Sequence, residues 1–274
     1  MNFLQDSLEG FLAREHRLVI VEVTSVKGST PRDEDAFMLV SPDAVHGTIG
    51  GGHLEFLAID NARKLLVGAG GEARLDVPLG PDIAQCCGGR VELTFTHADD
   101  PARARLIDKL AALAAAEPQV WVFGAGHVGR ALADALILLP LNVYVVETRQ
   151  IELNQLTSEV HGRLTPMPET MVADIPPGSA VVIATHDHAL DFLIGKEAAA
   201  RTDLAYCGMI GSKTKRAGFA SFLEGEGRDR ALADRLTLPI GGKAVHDKRP
   251  EVIAAMTAAE ILAALSTYRA PSSR

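Results

Sequence analysis

The stretch Val120-Trp121-Val122-Phe123-Gly124-Ala125-Gly126-His127-Val128-Gly129 decides the fold of the C-terminal half. Apolar residues of strand type run into a GxGxxG turn, and Arg130–Leu139 continues as an apolar-rich helix. A second strand, Asn142–Glu147, follows and ends on a carboxylate. Small residues in such a turn let the backbone bend tightly and approach a pyrophosphate. The helix amino terminus behind it offers free N–H donors to an anion, and the carboxylate can accept from ribose hydroxyls. The stretch therefore reads as the start of a Rossmann-type unit. In it Gly124, Gly126 and Gly129 form a phosphate-binding turn, Glu147 is a hydroxyl acceptor, and His127 lies inside the turn facing the same crevice. The competing reading gives the glycines to helix–strand packing alone or to some other phosphate, since a fold does not establish hydride transfer.

Working outward, AVVIAT (Ala180–Thr185) and LAYCGMIG (Leu204–Gly211) are further short apolar strands separated by helical stretches. That alternation indicates βαβ units on a parallel sheet. In such a sheet ligands lie at the carboxyl ends of the strands. The segment ATHDHAL therefore places His186 and His188 as candidates for the polar edge of a cofactor or for a metal; the plainer alternative is a helix cap at Asp187 with local hydrogen bonds. Arg149, Lys213, Lys215 and Arg216 are candidate phosphate partners or ordinary exposed charges. Cys207, inside a strand, reads as core.

The N-terminal half has a different pattern. Phe3, Leu4, Leu8, Phe11 and Leu12 follow a helical period. Strands are expected at Arg17–Val26, Phe37–Ser41, Ala73–Val77 and Arg90–Thr96, with a helix through Leu54–Leu66 after the glycine-rich HGTIGGGHLE. His53, after that glycine run, is a second candidate polar group. Pro101–Ala116 is a helix with proline at its first position, expected to carry the chain between domains. The expected organisation is an α+β domain over residues 1–100 with a vicinal-cysteine loop, a linking helix over 101–118, a Rossmann-type domain over 119–268 and a disordered tail over 269–274.

Cys86 and Cys87 stand in the loop LGPDIAQCCGG, between Gly80-Pro81 and Gly88-Gly89. Flanking glycines and proline allow an unusual path that brings thiols to an open surface. Adjacent cysteines bridge each other only with strain, and two thiols do not complete a structural zinc site. Soft sulfur suits a soft metal centre or sulfur transfer. The alternative is two small buried residues.

Composition narrows the classes. The 274 residues carry a formal net charge of −8 with no basic run, so no nucleic-acid footprint is present. The amino terminus has no signal-peptide pattern, and the longest apolar run, Ala131–Leu141, is too short for a bilayer. Three cysteines imply no disulfide framework. A cytoplasmic protein without a membrane or nucleic-acid partner is the expectation.

The stretches VKGSTPR, GTIGGGHLE, LGPDIAQCCGG, VFGAGHVGRALA, ATHDHALD, YCGMIGSKTKRAGF and PIGG followed by KRPEVIAAMTAAEIL run in order from about Thr24 to Leu265. Together they resemble the XdhC/CoxI family, accessory proteins of xanthine dehydrogenase and related molybdenum hydroxylases. The resemblance implies a non-catalytic chaperone. Such a protein binds molybdenum cofactor (molybdopterin), protects it during sulfuration and delivers it to the apo-hydroxylase. It implies contact with the cofactor and its metal through Cys86 and Cys87. Its partners are the molybdenum subunit of xanthine dehydrogenase, a cysteine desulfurase and a second copy in a homodimer. The cofactor is expected between the domains, with the thiols facing the Rossmann crevice. Two positions depart from the family pattern: Ala84 where glycine is commoner, and the acidic DEDA after Pro31-Arg32 where small residues are expected. Two other functions fit the glycine turn. One is an NAD(P)-dependent oxidoreductase with His186 or His188 as proton donor; the other is a nucleotide-sensing protein that leaves the paired cysteines idle.

Overall fold

Val19, Val21 and Val23 point to one side of strand β1 (Val19–Lys27) and Leu18 and Ile20 to the other, and both sides are covered. A computed structural model describes residues 3–80, 88–242 and 244–268. The chain divides into two compact units, Met1–Ala111 and Ala112–Arg274.

In the first unit β1 is the centre of an antiparallel sheet. Its order is β3 (Val45–Gly47), β2 (Phe37–Val40), β1, β5 (Arg90–His97), β4 (Arg74–Pro78). A bulge between Val23 and Ser25 interrupts the β1–β5 register. Helix α2 (Gly52–Val67) lays Leu54, Ala58 and Ala62 on one face of the sheet. Helix α1 (Phe3–Arg14) and the start of α3 (Asp100–Ala116) cover the other, with Leu8, Phe11, Ala102 and Leu106 buried against Leu18, Ile20 and Leu39.

Arg103 fastens these helices together. Its guanidinium donates to the carbonyls of Leu12, Glu15, His16 and Ala98 at 2.8–2.9 Å, satisfying the helix-end carbonyls of α1. The sequence expectation for α3 needs two adjustments. Pro101 is its second residue, and Asp99 caps it by accepting from the Ala102 N–H at 2.8 Å. The division between units falls inside α3, so its first half is core of the N-terminal unit. The acidic DEDA segment also has a role: Asp35 pairs with Lys109 at 2.9 Å, and the same ammonium bonds Glu22 at 2.9 Å.

The second unit contains the expected parallel sheet. The order β8 (His161–Leu164), β7 (Asn142–Glu147), β6 (Gln119–Phe123), β9 (Ala180–Ile183), β10 (Tyr206–Met209) is the doubly wound 3-2-1-4-5 pattern. Consecutive residues of β6 go to opposite layers. Val120 and Val122 join Leu132 and Leu136 of α4 (His127–Leu136) and Ala254, Ala258 and Ile261 of α8 (Pro250–Thr267). Trp121 and Phe123 join Ile194 of α6 (His188–Ala200) and Phe219 of α7 (Lys213–Gly225). A short helix α5 (Gln150–Leu153) joins β7 to β8.

Two strands, β3 and β8, were not expected from the sequence. Both are sheet edges, and all four residues of β8 are exposed, so no apolar alternation marks it. α8 is long and apolar enough to cross a membrane by length and composition, and exceeds the run at Ala131–Leu141. One face of it packs on α4 in the core of the second unit.

Candidate functional site

The carboxyl ends of β6 and β9 are neighbours, and the chain leaves them in opposite directions along the sheet. This is the switch point at which open α/β sheets bind ligands. Each glycine of the turn here has its own physical reason. Gly124 has φ +111, and a Cβ there would lie 2.3 Å from the Ala184 carbonyl oxygen on the β9 side. At Gly129 a Cβ would lie 1.8 Å from the Gly124 oxygen, so this residue sets the distance between α4 and β6. Gly126 is different: it is the N-cap of α4, and no atom stands within 4 Å of where its Cβ would be. Substitution there meets open space. At Gly126 the backbone is bare.

Asp187 accepts from the Ala189 N–H at 2.7 Å and caps α6; Ser212 accepts from the Lys215 N–H at 3.3 Å and caps α7. No side chain caps α4, and the same holds for α2, α5 and α8. The first-turn amides of a helix have no intrahelical partner, and the positive end of the α4 dipole favours an anion.

Glu147 ends β7 inside this turn, and only 3% of it is exposed. Its Oε2 accepts from the Ala125 N–H at 2.9 Å. Its Oε1 accepts from the Thr148 N–H at 2.8 Å and the Arg149 N–H at 3.1 Å. Burial pushes the carboxyl pKa up, but the donors from Ala125, Arg149 and Thr148 outweigh it and hold the group below the ordinary carboxylate value. Arg130 supports the turn from beneath, donating to the Ala125 carbonyl at 2.6 Å and to Glu152 at 2.8 Å.

The loop after β9 is held by a group that sequence reasoning missed. Asp191, 1% exposed, accepts at Oδ1 from the Thr185 N–H (3.0 Å) and hydroxyl (2.7 Å). Its Oδ2 binds the Lys215 ammonium, which also donates to the Ile210 carbonyl at 2.9 Å. One buried ion pair thus joins the loops after β9 and β10. Asp191 and Lys215 lie on different helices, and no periodicity connects positions so far apart in the chain.

The expected site residues separate accordingly. Gly124, Gly126, Gly129 and Glu147 meet at one turn. His186 and His188 stand exposed at the adjoining rim; His188 is 84% exposed, with Nδ1 4.0 Å from Asp191. Asp187 is the helix cap that the plainer alternative named. His127 is exposed and lines a concavity of about 460 Å³ with Asp134 and Glu251, on the α4–α8 side. Lys215 and Arg216 are corrected as phosphate partners. Lys215 is spent on Asp191, and the Arg216 guanidinium donates to the carbonyls of Ala233, Leu236 and Leu238. Arg149 is paired with Glu147 and Glu152. Lys213 is exposed at the start of α7, and His53 is exposed at the start of α2. Cys86 and Cys87 lie outside the described residues.

Cys207 is half-buried and lies at the edge of the core. It packs against the α6–α7 layer, and burial pushes its thiol up to about 12. At pH 8 its thiolate fraction is smaller than an ordinary thiol's by roughly three orders of magnitude. In a Cys86→Ala/Cys87→Ala variant the remaining thiol is expected to react with a disulfide reagent far more slowly in the native chain than after denaturant is added. Equal rates in the two states contradict the raised pKa.

Two family profiles match the chain. The one described as the XdhC Rossmann domain covers residues 120–261, and the one described as the XdhC and CoxI family covers residues 11–77. The chain belongs to the XdhC and CoxI family. A relative, the uncharacterized protein YqeB of Escherichia coli K12, is 26% identical over 263 residues, 89% of this chain. The chain spans 42% of that curated relative's length. A crystal structure described as a xanthine dehydrogenase from Bacillus halodurans superposes with a TM-score of 0.77 at 18% identity, over 100% of this chain and 98% of that one. At that identity the likeness concerns the fold. Within this XdhC-type Rossmann unit, the glycine turn lies at the sheet's switch point with Gly126 open.

Proposed function

We propose that this chain is a maturation factor for a molybdenum hydroxylase of the xanthine dehydrogenase type. It binds molybdenum cofactor, protects it during sulfuration by a cysteine desulfurase and delivers it to the apo-hydroxylase in the cytoplasm. The observation that carries the reading is the match of both halves of the chain to XdhC-type profiles, which cover residues 11–77 and 120–261.

The residues of the second unit fit the phosphate of such a group. Gly126 leaves open the space a Cβ would fill, and the uncapped first turn of α4 presents amides to an anion. His186 and His188, exposed at the rim, can donate to the polar edge of a fused ring. Cys86 and Cys87 are assigned to the metal–sulfur end by residue chemistry and family resemblance. When bound, the cofactor supplies the metal–dithiolene centre that the hydroxylase needs. The chain's own residues bind and orient it, and no proton or hydride transfer by the chain is part of the reading. A homodimer is the assembly that accompanies it.

The test is equilibrium binding of anaerobically prepared molybdenum cofactor to the full chain and to the Cys86→Ala/Cys87→Ala variant. Tight binding to the first and a loss of at least about tenfold in the second, some 1.4 kcal/mol, is expected. Absence of binding to the unaltered chain withdraws the function. Undiminished binding in a folded double variant withdraws the role of the thiols.

A further inference from the structure

We propose that Glu147 positions the glycine turn instead of binding ribose, so that the crevice turns away adenosine dinucleotides. The role of Glu147 stands on the geometry of the turn and goes beyond the carrier reading above.

In dinucleotide sites the carboxylate at the end of the second strand accepts from the ribose hydroxyls. Glu147 occupies that place in the chain, but its acceptor capacity is used within the protein. A carboxylate offers about four lone-pair sites. Within hydrogen-bond distance of Oε1 are the Thr148 N–H (2.8 Å) and hydroxyl (3.1 Å), and the Arg149 N–H (3.1 Å) and Nε (3.3 Å). Oε2 takes the Ala125 N–H at 2.9 Å. Oε1 is saturated; Oε2 keeps one lone pair, and burial closes it, since with 3% of the residue exposed a ribose hydroxyl could reach it only by opening the turn that covers it. Displacing Ala125 would release the turn whose neighbouring residue, Gly126, is open. Arg149 pairs with both Glu147 and Glu152. Ribose binding and the packed turn therefore compete for one conformation.

The charged groups facing Glu147 are Arg149 and, through Glu152, Arg130. The folded carboxyl pKa is lowered, so the lock is present above the ordinary value of 4.5 and is lost as pH falls through the lower folded value.

The experiment titrates NAD⁺, NADH and ADP-ribose into the full chain and, separately, follows the Ala125 amide resonance by NMR. No saturable dinucleotide binding tighter than about 1 mM is expected. The Ala125 resonance should stay constant at neutral pH and move only below pH 4.5, as Glu147 protonates; in Glu147→Gln it should lose that response. Saturable binding of any of the three ligands overturns the exclusion. An Ala125 resonance that ignores acid in the unaltered chain overturns the lock, and this measurement needs no variant to fold. Failure of cofactor binding in the preceding test withdraws the carrier function and leaves both of these results standing.

Discussion

Gly129→Ala is expected to destabilise the second unit by about 3 kcal/mol or more, read as a fall in the urea midpoint. The added Cβ would lie 1.8 Å from the Gly124 oxygen and 2.9 Å from its carbonyl carbon. Both are backbone atoms, so no rotamer change relieves the overlap. Gly124 cannot retreat, because its N–H donates to the Val146 carbonyl at 2.8 Å and its other side abuts the Ala184 carbonyl. Helix α4 cannot retreat without opening the layer in which Leu132, Ala133 and Leu136 are fully buried. Helix propensity points the other way, favouring alanine over glycine by about 1 kcal/mol in a helix interior. The sign of the change therefore separates the two effects, and a neutral or stabilised variant would show that α4 does not approach β6 so closely. Gly126→Ala is the matching control. Its φ of −69 is ordinary and its Cβ meets nothing. Stability should change by no more than about 1 kcal/mol, while the methyl occupies the open space at the helix end and weakens phosphate-ester binding.

Lys215→Met is expected to cost about 3–5 kcal/mol, because it leaves the Asp191 carboxylate charged and buried without its counter-ion. Asp191 is 1% exposed, and the Lys215 side chain 8%. The Asp191→Asn/Lys215→Met pair should recover most of that loss. An asparagine oxygen can still accept from the Thr185 N–H and hydroxyl, and the methionine replaces the lysine stem with apolar volume. A single variant as stable as the unaltered chain would mean that the ion pair is solvated in solution. The double variant also loses the Lys215 bond to the Ile210 carbonyl, and with it the direct tie between the loops after β9 and β10. Amide exchange in those two loops should rise even where global stability is restored.

The candidate site was legible to the extent that its residues are local. Gly124, Gly126 and Gly129 lie within six positions, and a strand, a turn and a helix leave little choice for what they do. Glu147 was legible in place but not in role. Its position at the end of β7 follows from the strand; the five donors that occupy it come from the turn and from its own loop. Asp191 was overlooked inside ATHDHALD because the flanking histidines carry the more conspicuous chemistry. Lys215 and Arg216 looked like free cations in a basic stretch, since their partners, Asp191 and the carbonyls of Ala233–Leu238, come from separate elements. The edge strands β3 and β8 escaped because an exposed edge needs no apolar side chains to pair its backbone.

What the sequence alone determined is the class of each half. Short apolar strands alternate with helical stretches after a GxGxxG turn, which makes a parallel sheet of βαβ units. In the first half, the β-branched run of Arg17–Val26 marks a strand. These are properties of chain period and local sterics, readable from neighbours in sequence. What only the tertiary structure decided is which polar groups remain available to a ligand. Hydrogen-bond partners of buried groups are set by which loops meet, and a buried carboxylate must find its donors wherever the fold supplies them. Glu147, Asp191, Lys215 and Arg216 are consumed in that way, and Gly126 at the uncapped start of α4 remains open.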